Sequence, residues 1–306
     1  MQITVKPLLS DSMLQSRYNK GSYSLWQLMR AYGGRCWALL WRRRFEVIWI
    51  EKEAFPWMPL WMERALLGSG PYVLDFDDAV FHVYDQHPHR YVRRFYGRRL
   101  DQLMANAALV VSGNQYLAQR ARHAGAKRVV VVPTVIDIDR YPLTSLESRG
   151  SLASDGLPRI VWIGSPSTVS YLRGLQGPLQ TLARSVPFVL RVIGGGNIEM
   201  PGVRVESIRW SEDTEAQEIA ACDVGVMPLV DSAWERGKCG YKLIQYMACG
   251  LPVVASNVGV NVEIVRHAMF EVAIDIGFLD VHQALQQLVT QHADAFVFGG
   301  HFLSGN

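Results

Sequence analysis

Lys238 and Lys242 stand four positions apart across Gly240, with Glu235 just ahead and Gln245 just beyond, in the run ERGKCGYKLIQYMACG from Glu235 to Gly250. The apolar stretch DVGVMPL (Asp223 to Leu229) reads as a strand leading into it. A helix is expected from about Gly240 to Gly250, followed by a strand at PVVAS (Pro252 to Ser256). On that helix Leu243, Ile244, Met247 and Ala248 recur at three-to-four-residue spacing and are expected inside. Lys238, Tyr241, Lys242 and Gln245 are expected together on the opposite side. Two ammonium groups beside the orphan N–H groups and positive dipole end of a helix start make an anion site suited to phosphate. Gln245 is placed to reach a sugar hydroxyl. The plainer alternative is a pair of lysines decorating a solvated helix end.

The elements that must carry this mouth alternate along the whole chain. Strand-like runs at 3–9, 47–51, 72–77, 108–112 and 128–133 are separated by helical stretches near 22–44, 56–67, 90–107 and 114–124. Short, nearly continuous β-branched runs between helices indicate a parallel sheet covered on both faces. A Ser- and Gly-rich stretch, Leu143 to Pro158, has no apolar period and reads as a linker. Strands then resume at 160–164, 188–194, 203–210, 224–229 and 252–256. The expected organisation is residues 1–143, a linker over 144–158, and a second domain over 159–306. Both domains are α/β and Rossmann-like with parallel sheets, and they face a cleft in which ligands bind outside the strands' carboxyl ends.

Composition narrows the class. With 306 residues, 49% hydrophobic and 19% charged, the chain is globular rather than disordered or a coiled coil. Cys36, Cys222, Cys239 and Cys249 have no metal-ligand spacing and suit a reducing cytoplasm. The start, MQITVKPLLS, has no signal-peptide core, and no run of apolar residues is long enough to span a bilayer. The net charge of +3 hides an asymmetry: residues 1–143 carry 20 Lys+Arg against 12 Asp+Glu, which leaves 11 against 16 for the remainder. The basic half also holds six of the nine tryptophans. Trp37, Trp41 and Arg42–Arg44 suit contact with a membrane surface or an anionic lipid-linked acceptor. The alternative is a set of core aromatics beside a solvated arginine run. Nucleic acid is not expected, because no nucleic-acid-binding motif accompanies the charge.

The tail MACGLPVVAS (Met247 to Ser256) and the following GVNVEIV (Gly259 to Val265) resemble the donor-nucleotide signature of retaining glycosyltransferases of family 4. IEKEAFPWMP (Ile50 to Pro59), LDFDDAVFH (Leu74 to His82) and the segment from Ser112 to Asp137 resemble the acceptor-side half of one branch of that family. The similarity spans roughly residues 40–265 and implies a GT-B fold. By comparison with the family, the first domain is expected to be without its initial strand–helix unit and the chain without the closing helices. The family's two glutamates, with seven residues between them, fall here on Gly237 and Gln245, with Glu235 two residues early.

The resemblance implies transfer of a sugar, with retention, from a nucleoside-diphosphate sugar to a saccharide or lipid-linked acceptor. It assigns Lys238, Lys242 and the Gly240–Tyr241 backbone to the diphosphate, Gln245 to a ribose hydroxyl and Glu235 to the transferred sugar. Asp77 or Asp78 would orient the acceptor hydroxyl. After the second domain's first strand, IGSPSTVSYL (Ile163 to Leu172) has Gly164, Ser165 and Thr168 where many family members carry an Arg and a Lys. The hydroxyls of Ser165, Ser167 and Thr168 either donate to the diphosphate or cap the next helix. VIGGGNIEM (Val192 to Met200) lacks the third glycine of a dinucleotide fingerprint and reads as a tight turn.

Three alternatives attach to DFDD (Asp75 to Asp78) and its surroundings. Asp75 and Asp77 could form the DxD metal clamp of GT-A glycosyltransferases, although the lysine-bearing mouth makes a metal unnecessary and none is expected. The aspartates could cap the following helix. His82, His87 and His89 could suggest zinc, but they read as solvated loop histidines. For the whole chain, a catalytically silent nucleotide-sugar binder or a sugar-nucleotide epimerase competes with the transferase. A transferase would sit in the cytoplasm, peripheral on the cytoplasmic membrane face.

Overall fold

The computed structural model describes residues 3–141 and 155–267, and the chain divides into two compact units, Met1–Val132 and Pro133–Asn306. The expected linker, apart from Asp155–Pro158, and the expected helix at Asp280–His292 lie outside the described residues.

The first unit is built on a four-stranded, wholly parallel sheet in sequential order: β1 (Ile48–Glu51), β2 (Tyr72–Phe76), β3 (Leu109–Ser112) and β4 (Val129–Val131). Leu74 sits opposite Ile50 on one side and Val110 on the other, and all three are buried, as a sheet covered on both faces requires. The helical stretches are shorter than their patterns, at Leu25–Leu40, Leu60–Leu67 and Gln115–His123. The pattern over 90–107 divides around Gly97 into Arg90–Tyr96 and Arg99–Asn106. No strand forms over 3–9, contrary to expectation. Ile3 and Val5 are exposed and Pro7 has no N–H to give to a ladder, so β propensity there finds no pairing. Arg99, wholly buried, locks the unit internally by donating to Glu53 and Glu63, each at 2.5 Å, and to the Phe55 carbonyl.

The second unit holds five parallel strands in the order β7-β6-β5-β8-β9. They are β5 (Arg159–Ile163), β6 (Val189–Ile193), β7 (Arg204–Ile208), β8 (Val224–Met227) and β9 (Val253–Ala255). Every residue of β5, β6, β8 and β9 is buried, and those runs are apolar except for Arg159 and Arg191, of which Arg191 is paired with Glu206 and Glu218, whereas β7 at the edge is partly exposed. The chain proceeds outward from β5 through β6 to β7, then returns to β5's other side for β8 and β9. The strand order therefore reverses between β5 and β8, the place where open α/β sheets bind ligands beyond their carboxyl ends.

Candidate functional site

Three segments converge on the indole of Trp162, the buried penultimate-position side chain of β5. The turn after β5 passes so close that a Cβ on Gly164 would lie 2.6 Å from Trp162 Cη2. In the turn after β6, a Cβ on Gly195 would lie 3.1 Å from Trp162 Cζ3. Beyond β8, the Lys242 ammonium stands 5.6 Å from the ring centroid, in cation–π range. At Gly164 the indole occupies the space a side chain would take, and at Gly195 it shares that space with Val192 Cγ1 and Ile198 Cδ1, which an added Cβ would meet at 2.7 and 3.0 Å. VIGGGNIEM does form a turn there, with Gly194 and Gly196 both at φ 79°.

The helix after β8 runs Tyr241–Ala248, with Gly240 at its N-cap in the left-handed region (φ 70°). This cap residue brings no side-chain oxygen, so the first turn's N–H groups face a mouth with no capping hydroxyl or carboxylate. Gly240 also lies under Ile264, whose Cδ1 would be 2.2 Å from an added Cβ, and Gly259 presses on the Arg236 backbone. The GVNVEIV segment thus packs against the mouth from behind. Lys238 and Lys242 are both half-buried and Tyr241 is exposed.

Glu235 belongs to the short helix Ala233–Arg236 and is almost wholly buried. Its carboxylate accepts hydrogen bonds from the hydroxyls of Ser232 and of Tyr171, the latter on the helix Val169–Arg173 that follows β5. The loops after β5 and β8 are thereby tied together over the sheet's reversal point. Neither Ser165 nor Thr168 makes the expected helix cap: Thr168 Oγ1 donates to the Ser165 carbonyl at 3.0 Å, and the Ser165 and Ser167 hydroxyls pair at 2.7 Å.

Gln245 is not on the outward face with the lysines. It is 3% exposed, and its Nε2 donates to the Tyr141 hydroxyl at 3.0 Å. Tyr141 donates in turn to Glu215 Oε1 at 3.2 Å, and Trp210 Nε1 donates to Glu215 Oε2 at 2.6 Å. Burial pushes the Tyr141 hydroxyl well above its ordinary pKa, which keeps it a donor. Ile244 and Met247, expected inside, are only half-buried; Tyr246 goes fully inside instead, accepting from the Ile163 N–H and donating to the Val226 carbonyl. A polar residue turns inward here because a partner from a distant segment satisfies it. Sequence reasoning missed Trp162, Tyr171 and Tyr141. Tyr171 lay within the hydroxyl-rich loop already singled out, one turn beyond Thr168, whereas Tyr141 carries no local signal.

In the first unit, Asp77 pairs with the Lys52 ammonium at 3.0 Å and Asp78 lies 3.8 Å from it. Lys52 follows β1 in the left-handed region (φ 61°), a conformation costly for a residue with a Cβ. Its N–H donates to the Asp75 carbonyl at 2.7 Å. Burial works against the Lys52 charge, but Asp77, Asp78 and Glu51 together outweigh it and the pKa is raised. The Asp75 carboxylate accepts instead from Trp49 Nε1 at 3.1 Å, so Asp75 and Asp77 are engaged by different groups. The helix His82–Asp85 has Phe81 at its N-cap and takes no side-chain cap, so the aspartates do not cap it. His82 is not a solvated loop histidine: it is enclosed, with Nδ1 2.7 Å from Asp85 and Nε2 2.8 Å from the Tyr116 hydroxyl. His87 Nδ1 accepts from the His89 N–H at 3.1 Å.

The family model described as glycosyl transferases group 1 matches residues 158–293, most of the second unit. No curated protein matches the chain in sequence. Among solved structures, sucrose-phosphate synthase from Thermosynechococcus elongatus is similar at TM-score 0.63 and 16% identity, over 88% of this chain and 71% of that one. WaaG, a glycosyltransferase involved in lipopolysaccharide biosynthesis, is similar at TM-score 0.62 and 15% identity, over 89% and 76%. Anabaena HepE in complex with UDP and glucose is similar at TM-score 0.60 and 18% identity, over 85% and 71%. The likeness at these identities is one of fold, and the fold class is GT-B: two α/β units, each with a parallel sheet.

Proposed function

We propose that the chain transfers a sugar, with retention, from a nucleoside-diphosphate sugar to a saccharide or lipid-linked acceptor in cell-surface polysaccharide or glycolipid synthesis. The observation that carries this reading is the convergence of Gly164, Gly195 and Lys242 on one indole beside a helix start with no side-chain cap. A diphosphate bridging the Gly164–Thr168 turn and the Gly240–Tyr241 backbone meets N–H donors, the helix's positive end and the ammonium groups of Lys238 and Lys242. As the glycosidic bond breaks, charge grows on that diphosphate, and fixed cations act where it develops. Lys242 is the residue assigned to this role, with Lys238 supporting it.

Glu235 has lone pairs beyond those engaged by Ser232 and Tyr171, and is assigned to accept from a hydroxyl of the transferred sugar. Asp77 and Asp78, held by Lys52, are assigned the acceptor hydroxyl. Gln245 is assigned a positioning role: through Tyr141 it fixes the helix whose amino end meets the diphosphate. The resemblance between this segment and group 1 glycosyltransferases, and the UDP and glucose held by a neighbour of the same fold, support the donor class. No metal is required by this reading. A lipid-linked acceptor would place the protein in the cytoplasm at the cytoplasmic membrane face. Among the described residues no helix is long and apolar enough to cross a membrane.

A second reading, a nucleotide-sugar binder without turnover, is favoured by one observation: Gln245, the position matching a family glutamate, is engaged inside the protein. One panel tests both. UDP-, GDP- and ADP-sugars, each with and without divalent metal, are screened for thermal stabilisation, and the stabilising donor is then assayed for transfer. Stabilisation and transfer without metal support the transferase; stabilisation without turnover supports the binder. Stabilisation that requires manganese would return the Asp75–Asp77 metal clamp to consideration, and no stabilisation by any donor removes both readings.

A further inference from the structure

The helix Leu25–Leu40 is tied to the body by Tyr32 and Arg35 and turns most of its largest apolar side chains outward. On the inner side the Tyr32 hydroxyl donates to the Pro56 carbonyl at 2.7 Å, Arg35 donates to the carbonyls of Ala54 and Lys6, and Leu39 is buried. On the outer side Trp26 (65% exposed), Met29, Trp37 (63%), Leu40 and Trp41 recur at helical spacing. Between them, Gly33 and Gly34 face space in which an added Cβ would touch nothing. A row of large apolar side chains turned to water along about 24 Å of helix is not how a surface helix ordinarily stands.

Charge identifies what covers it. From Leu25 to Phe45 there are five arginines and no Asp or Glu, the nearest carboxylate being Glu46. Arg30 lies on the outer face, and Arg42–Arg44 form a 3-10 turn directly after the helix, with the Arg44 guanidinium 4.5 Å from the Trp41 ring. Indoles settle at headgroup level, aliphatic side chains enter the acyl boundary, and arginines meet phosphates. The geometry points to a docking surface for an anionic lipid bilayer, with the helix lying in the interface plane. The surface deepens the membrane-face element of the proposed function and rests on that reading for its purpose, while its test is independent of turnover.

The test is co-sedimentation of the full chain with vesicles of phosphatidylcholine alone or with added phosphatidylglycerol, at low and high salt. Binding is expected only to the anionic vesicles and is expected to weaken with salt. Arg43→Gln and Arg44→Gln, both exposed, should each weaken it by roughly fivefold, whereas the Arg42 guanidinium lies over Gly68 and is left in place. Trp37→Ser with Leu40→Ser should reduce it at least tenfold, with circular dichroism and thermal unfolding unchanged because neither side chain is buried. Equal sedimentation with neutral and anionic vesicles, or binding unaffected by these substitutions, overturns the proposal. So does a dimer that dissociates in the Trp37→Ser, Leu40→Ser variant of a chain that ignores vesicles, which gives the face to a second copy. The same variants are scored for stabilisation by the donor, so loss of vesicle binding with that stabilisation intact separates a failed surface from a failed transferase.

Discussion

The Tyr171 hydroxyl donates to the carboxylate of Glu235, joining the helix after β5 to the short helix after β8 at the point where the strand order reverses. Ser232 donates to the same carboxylate, so an almost wholly buried anion is held by two neutral hydroxyls. Its orientation is therefore fixed from both sides, as the role proposed for it toward a sugar hydroxyl requires.

Tyr171→Phe removes one of these donors from a buried charge and is expected to cost about 1.5–3 kcal/mol of stability. Glu235→Gln keeps the shape and can still donate and accept, so it should unfold at nearly the wild-type temperature while transfer falls. Thermal denaturation of the two variants beside a transfer assay checks this. Equal turnover in Glu235→Gln and wild type would remove Glu235 from the sugar site.

Lys242→Ala is expected to slow transfer by roughly two to three orders of magnitude, the usual effect of losing one stabilising group where charge develops. The side chain is half-buried over Trp162, so the fold should persist. Lys242→Arg preserves the charge but spreads it over a planar fork, and only partial recovery is expected. Single-turnover rates at saturating donor provide the measurement, and near-wild-type turnover in the alanine variant discards the role.

Gly240→Ala probes the helix mouth itself. A Cβ in the left-handed region costs about 1–2 kcal/mol, and here it also meets Ile264 Cδ1 at 2.2 Å. The expected result is a lower unfolding temperature together with weaker stabilisation by the donor. Adding Ile264→Ala should recover part of the stability, because the side-chain overlap is removed while the backbone strain remains.

The strand–loop–helix–strand unit from Asp223 to Ser256 was legible because each piece obeys a local rule: continuous apolar residues in a buried parallel strand, helical period, glycine at the cap. The two parallel sheets followed from the same alternation. Gln245 was misplaced because residue type suggests solvent, whereas its partner Tyr141 lies 104 positions earlier and nothing local announces it. ITVKPLL has strand composition without a strand, since pairing depends on a neighbour that composition does not reveal. Trp162 read as one more buried strand residue; its use as a floor for two glycine turns and a lysine exists only once three loops meet.

The Lys52–Asp77 pair gives a pH signature and a kinetic one. The folded-state pKa of Lys52 is raised, so the pair's contribution is fully present below the unfolded lysine value of about 10.4 and is lost as pH rises through the folded value. Because both groups are substantially exposed, the contribution is about 0–1 kcal/mol. Asp77→Asn should therefore unfold slightly below wild type from pH 6 to 9, with the difference shrinking above roughly pH 10.4. If Asp77 and Asp78 hold the acceptor, Asp77→Asn and Asp78→Asn should raise the acceptor KM while leaving stabilisation by the donor unchanged. A structural role alone moves the unfolding temperature and leaves that KM in place, so steady-state kinetics with varied acceptor decides between them.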